Sequence, residues 1–168
     1  ELNNKLIIAD IYELGEENLK YGMYLFTDLF WDKIKKDRKI KKAIYLDEVW
    51  RLIGVTSNKE VASFIYKIFK TIRKFGGSSI AITQDISDLF SLSDGIYGKS
   101  IINNSSIKIF FSLEEENILL LGEYTKLSEK EKIEIRSLKR GECLLFAGNE
   151  HILTKIEAGE YEEEIINN

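Results

Sequence analysis

Lys41 to Ile53 reads KKAIYLDEVWRLI. Ala43, Ile44, Tyr45 and Leu46 form a short apolar run between two lysines and two acids. A run of this length bounded by charge predicts a strand buried on both faces. Asp47 and Glu48 then fall where the strand ends, and open α/β sheets bind ligands outside the carboxyl ends of their strands. Two carboxylates there form a candidate cation site with a base beside it. Asp47 is the candidate Mg²⁺ holder, acting through water. Glu48 is the candidate base, since a positioned carboxylate can take a proton from an attacking water. The same two letters also occur at ordinary solvated strand ends and helix starts, so the surrounding chain has to decide.

Upstream, Leu6 to Ile11 (LIIADI) predicts a first buried strand, and Glu13 to Asn18, with Gly15, a connection. From Leu19 to Asp37 the residues Leu19, Met23, Phe26, Leu29, Phe30 and Ile34 recur at helical spacing. Downstream, Ser57 with Glu60 has the form of a capping box. The helix it opens carries Val61, Phe64, Ile65, Ile68, Phe69 and Ile72 on one stripe and ends at Arg73, Lys74 and two glycines. Ser79 to Gln84 predicts a third strand, Ser93 or Asp94 caps a short helix to about Asn103, and Ile107 to Leu113 predicts a fourth strand. Helices follow over 114–124 and, after a second capping box at Ser128 and Glu131, to about Leu138. Glu142 to Ala147 and His151 to Ile156 predict a hairpin. Strands alternating with helices imply one α/β domain over 1–168, a mostly parallel sheet flanked by helices with an antiparallel edge at its C-terminal hairpin.

If the strands ending at Asp47–Glu48 and Thr83–Gln84 are neighbours, their polar ends converge. Thr83 or Gln84 could then hydrogen-bond a terminal phosphate or the attacking water; a Thr-Gln pair is also a common polar strand end. Arg73 and Lys74 could serve a phosphate in a neighbouring subunit, or merely answer a helix dipole. His151 is expected at the surface of the hairpin, and Cys143 as a small buried hydrophobe. No Cys/His metal cluster and no nucleophile triad can be assembled.

Of the 168 residues, 44% are hydrophobic and 31% charged, the balance of a globular domain rather than a disordered one. No apolar run approaches the roughly 18 residues that would cross a bilayer. A net charge of −4 does not favour nucleic acid over the whole surface, though Lys33, Lys35, Lys36, Arg38, Lys39, Lys41 and Lys42 form one basic cluster. Glu160 with Glu162, Glu163 and Glu164 makes an acidic tail. The chain does not begin with methionine, and it is expected to be an excised piece of something longer.

The order ADIYELGEENL, FWDKIKKDRKIKKAIYLDEVWRLI, IYKIFKTIRKFGGSSIAITQDISDLF, IINNSSIKIFFSLEE, KLSEKEK and GECLLFAGNEHILTKIEA resembles the C-terminal ATPase domain of the large conjugative ATPases of type IV secretion systems. The resemblance covers most of the chain and implies a RecA-like P-loop NTPase fold. By the resemblance Asp47 and Glu48 are the Walker B acids, Arg73 with Lys74 the basic motif after the following helix, and Thr83–Gln84 the sensor-like pair. It assigns Glu48, Gln84 and Arg73 to catalysis, Asp47, Thr83 and Lys74 to nucleotide binding, and Asp47 to the metal. It further implies ATP and Mg²⁺ as cofactors and other secretion-apparatus subunits as partners. A hexamer is expected, with a cytoplasmic location at the inner face of the bacterial membrane, and work in pilus biogenesis and substrate transfer. Two other readings stand beside it: a structural or assembly module of the same machine, and a related DNA translocase or helicase.

One departure is large. The chain contains no G-x-x-x-x-G-K-[ST], the loop whose backbone N–H groups cradle phosphates. The resemblance places that loop N-terminal to the residues present, so this chain is expected to carry half of a nucleotide site and not to turn ATP over alone.

Overall fold

The computed structural model describes residues 4–54, 57, 59–84 and 86–166. The chain divides into two compact units, 1–101 and 102–168.

In the first unit, α1 (Glu16–Lys36) follows Gly15, whose φ of +72° suits a residue without a β-carbon. The predicted helix is there, but its buried face is turned. Trp31 and Ile34 are buried, with Met23, Tyr24 and Phe30 partly covered, whereas Leu29 is 52% exposed. Thr27 lies in the buried stripe because its hydroxyl donates to the Met23 carbonyl at 2.6 Å and so carries no orphan donor inside. Lys42 closes the other end of α1, its ammonium donating to the carbonyls of Ile34 (3.1 Å) and Asp37.

β1 (Lys42–Leu46) leads through α2 (Trp50–Ile53), α3 (Lys59–Thr71) and a 3₁₀ turn (Ile72–Phe75) to β2 (Gly77–Ala81). The two strands pair in parallel, from Lys42 opposite Gly77 to Leu46 opposite Ala81, as a strand–helix–strand crossover requires. Ala62, Ile65, Ile68 and Phe69 of α3 are buried with Ile72, and Phe64 is only partly covered. Ser57 does not lead straight into α3: its hydroxyl donates to the Leu52 carbonyl at 2.7 Å, and the residue before Lys59 lies outside the described set. Gly76 has φ +72°, and a β-carbon there would meet the Arg38 carbonyl oxygen at 2.5 Å, so that turn admits glycine alone. α4 (Ile86–Phe90) and α5 (Ile96–Asn104) follow β2.

Two further expectations are corrected in this unit. Residues 7–11 form no regular element and join no ladder among the described residues, and Leu6 and Ile8 are 74% and 79% exposed. Apolar composition favours a strand, but a strand exists only in pairs. β1 itself is not buried on both faces: Ile44 and Leu46 point into the core while Tyr45 is 69% exposed.

In the second unit, β3 (Ile107–Phe110) is followed by α6 (Glu115–Tyr124), α7 (Glu129–Ser137), β4 (Glu142–Ala147), β5 (Glu150–Lys155) and α8 (Glu160–Ile166). Its sheet has the order β3-β4-β5 and is antiparallel throughout. The expectation that the fourth strand joins the parallel sheet therefore fails. One helical leg returns a chain for a parallel strand, but the two legs α6 and α7 deliver β4 running the other way. Ile118, Ile135, Leu144 and Phe146 form the core of this unit. The Ser128–Glu131 capping box is present in full at the start of α7. The acidic tail is itself helical, as α8.

Candidate functional site

The carboxyl ends of β1 and β2 are tied together beyond the last ladder pair. The Ile82 N–H donates to the Leu46 carbonyl at 2.9 Å and the Val49 N–H to the Ile82 carbonyl at 3.1 Å. These two bonds set Asp47 and Glu48 beside Thr83 and Gln84, the convergence that adjacent strands imply. The backbone N–H of Glu48 donates to the Asp47 carboxylate at 2.9 Å. Glu48 sits at φ +49°, a left-handed conformation rarely adopted by a residue with a long side chain.

Both carboxylate oxygens of Glu48 are engaged. The Gln84 side-chain amide donates to Oε1 at 2.7 Å, and the indole N–H of Trp50 donates to Oε2. The Arg51 guanidinium lies over the Trp50 ring, 4.7 Å from its centre. Trp50 was not among the residues singled out from sequence. In DEVWRLI it stands beside Val49 and Leu52 as one more apolar letter, and only its ring N–H, the donor every buried tryptophan must satisfy, could have marked it.

Arg73 and Lys74 are exposed and lie elsewhere. Arg73 joins Lys41, Lys42, Gly76, Gly77 and Ser78 around a shallow cleft of about 320 Å³ at the amino ends of β1 and β2. Within one chain they are not brought to the acids. Gly98, Lys99 and Ser100 have the closing letters of the phosphate-loop motif but lie inside α5. Gly98 is there for contact, since a β-carbon would meet the Leu89 carbonyl oxygen at 2.3 Å.

Asp47 and Glu48 are hard oxygen donors of the kind Mg²⁺ takes. Among the described residues no group of three or more His, Cys, Asp or Glu could hold a metal. A Mg²⁺ ion at Asp47 would thus draw most of its shell from water and phosphate, which is its habit in nucleotide sites. The carboxyl edge fits the metal and water half of such a site, and the chain's sequence contains no phosphate-cradling glycine loop.

In the second unit, His151 is half-buried rather than on the surface. Its ring stacks on Phe146 at 3.6 Å, and Nδ1 lies 2.6 Å from Glu131 Oε1. Burial pushes the Glu131 carboxyl up, but the Ser128 hydroxyl and N–H and the His151 ring outweigh it and hold it below the usual range. Cys143 is fully buried, and burial pushes its thiol up, as expected of a packing residue.

A family model described as the TraG P-loop domain matches residues 2–153. Protein TraC of Escherichia coli (strain K12) is 39% identical over 72 residues, covering 43% of this chain and 8% of TraC. The structure of VirB4 of Thermoanaerobacter pseudethanolicus superposes on 98% of this chain with a TM-score of 0.88 and 28% identity, over 44% of its own length. The genome packaging NTPase B204 of Sulfolobus turreted icosahedral virus 2, in complex with ATP-gammaS, matches 79% of the chain at a TM-score of 0.56 and 15% identity, a likeness of fold. The chain thus spans less than half the length of both TraC and VirB4.

Proposed function

Because the chain belongs to the TraG P-loop domain family, a family of conjugative, type IV secretion ATPases, we propose that it is the Walker B and sensor half of an ATP-hydrolysing motor domain. Its fold is that of the RecA-like P-loop NTPases, shared with VirB4 and the packaging NTPase. The observation that carries the proposal is the junction at the carboxyl edge, where Gln84 from beyond one strand reaches Glu48 at the end of its parallel neighbour at 2.7 Å.

ATP supplies the phosphoryl group and Mg²⁺ neutralises charge upon it. Asp47 is placed to hold waters of the metal's shell. Glu48 accepts the proton of an attacking water, and Gln84 and Thr83 hydrogen-bond the water or a terminal phosphate oxygen. The glycine loop belongs to sequence outside this chain. Arg73 and Lys74, at the opposite end of the strands, serve a phosphate only across a subunit boundary, which agrees with work as a ring of copies, six in this reading. Hydrolysis then drives pilus biogenesis and substrate transfer by the secretion apparatus, from the cytoplasmic side of the inner membrane. No helix among the described residues is long and apolar enough to cross a membrane.

The deciding measurement is ATP turnover beside nucleotide affinity, in a longer protein carrying a phosphate loop N-terminal to this chain. Glu48→Gln should bind nucleotide normally and lose most turnover, because an amide is no base at neutral pH. Asp47→Asn should weaken the Mg²⁺-dependent part of binding. Wild-type turnover by Glu48→Gln would sink the catalytic assignment.

A further inference from the structure

The geometry points to a two-jawed clamp on Glu48, in which Trp50 is the fixed jaw that aims the carboxylate and Gln84 the jaw that lets go. This rests on Glu48 being the base. It adds a positioning residue, Trp50, and a reason why the base stays idle until the site is filled.

Three observations support it. Each oxygen of Glu48 accepts one hydrogen bond, so the carboxylate is held from both sides and a water must compete with the Gln84 amide and the Trp50 indole for its remaining lone pairs. Its backbone is held at φ +49°, so the side chain leaves the strand end toward Trp50 and Gln84 instead of following an ordinary extended or helical path. The two jaws also differ in how firmly they are held. Trp50 is half-buried, opens α2, packs against the core and carries the Arg51 guanidinium on its ring. Gln84 is exposed and lies in the loop past β2. A competing acceptor, such as a phosphate oxygen arriving at the carboxyl edge, therefore draws away the Gln84 amide and leaves the indole in place. Oε1 is then free to take a water, while Oε2 remains anchored and keeps the carboxylate aimed. Asp47, which accepts the Glu48 N–H, and Arg51, over the indole ring, are the charged neighbours of the clamp.

The first test needs only the 168-residue chain. It has two tryptophans, Trp31 and Trp50, and Trp50→Phe identifies the second indole N–H signal in a ¹⁵N spectrum. In the wild type the Trp50 indole proton should exchange with solvent about tenfold more slowly than in Glu48→Ala, with Trp31 unchanged in both. Equal rates would overturn the clamp, whatever Glu48 does in catalysis.

The second test uses the longer protein with its phosphate loop. Trp50→Phe keeps the ring but removes the donor, and turnover should fall on the order of ten- to a hundredfold with KM and melting temperature unchanged. Combined with Glu48→Gln it should cost nothing further, because both changes act through one carboxylate. Additive losses, or wild-type turnover by Trp50→Phe, would overturn the positioning role. Finally, a non-hydrolysable triphosphate analogue, but not the diphosphate, should move the Gln84 side-chain amide signals and leave the Trp50 indole in place. Movement of the indole alone would reverse the two jaws and defeat the proposal. Should Glu48→Gln turn ATP over at the wild-type rate while the indole stays protected, the base assignment fails and the clamp is a structural latch only.

Discussion

At the scale of single residues, backbone pattern sets where Asp47, Glu48 and Gln84 stand, whereas Trp50 and His151 each find a partner through one ring nitrogen. Asp47, Glu48 and Gln84 could be placed at converging strand ends because such ends are marked by a change from apolar to polar letters. Trp50 and His151 could not, because their roles depend on one ring nitrogen meeting one carboxylate across the fold. The His151–Glu131 pair has a consequence in acid. Glu131 is held below the usual carboxylate range when folded, so its contribution to stability is present above its unfolded value and is lost as pH falls through the lowered one. Melting temperature measured from about pH 6 to 3 should therefore drop more steeply for the wild type than for Glu131→Gln, whose side chain does not titrate. Parallel curves would mean the pair contributes nothing. Cys143 should resist thiol reagents until the chain unfolds, since its side chain is fully buried.

Among the elements, α3, α7 and β3 formed where their local signals put them, but β3 took a different partner and the 6–11 stretch joined no ladder. Helical periods are short-range, as is the complete capping box at Ser128 and Glu131; strand partners are long-range and are chosen by topology. α1 lies between: its period was legible, yet its buried face is set by Trp31 meeting Phe75 edge-on at 5.3 Å, a contact no window of sequence contains. The α3 stripe predicts that Ile68→Ala costs about 2–5 kcal/mol in chemical denaturation, and Phe64→Ala less in proportion to its partial exposure. A loss below about 0.5 kcal/mol at Ile68 would contradict its burial. At α7, Ser128→Ala removes the cap that accepts from the Glu131 N–H, an expected loss of about 1 kcal/mol by the same measurement.

For the molecule as a whole, the first unit carries a two-stranded parallel sheet with one face toward its core and Tyr45 and Ile82 exposed. Parallel sheets are ordinarily covered on both faces. Leu25 and Leu29 of α1 add further exposed apolar surface. The isolated chain is therefore expected to bind a hydrophobic dye more strongly, per mole, than a longer protein that includes the preceding sequence. Equal dye binding would mean that nothing upstream packs on this unit. The same comparison should show ATP–Mg²⁺ binding weak or absent in the 168-residue chain and restored in the longer protein, read by calorimetry.

The left-handed backbone of Glu48 also bears on what selection can keep. A glycine there would relieve strain of about 1–2 kcal/mol, and asparagine tolerates that conformation better than glutamate does. A mutant library of this chain sorted only for folded, protease-resistant members should thus lose glutamate at position 48 and drift toward glycine or asparagine, while Ile68 and Leu52 hold. Retention of glutamate under a foldability screen would mean that its two hydrogen bonds outweigh the strain.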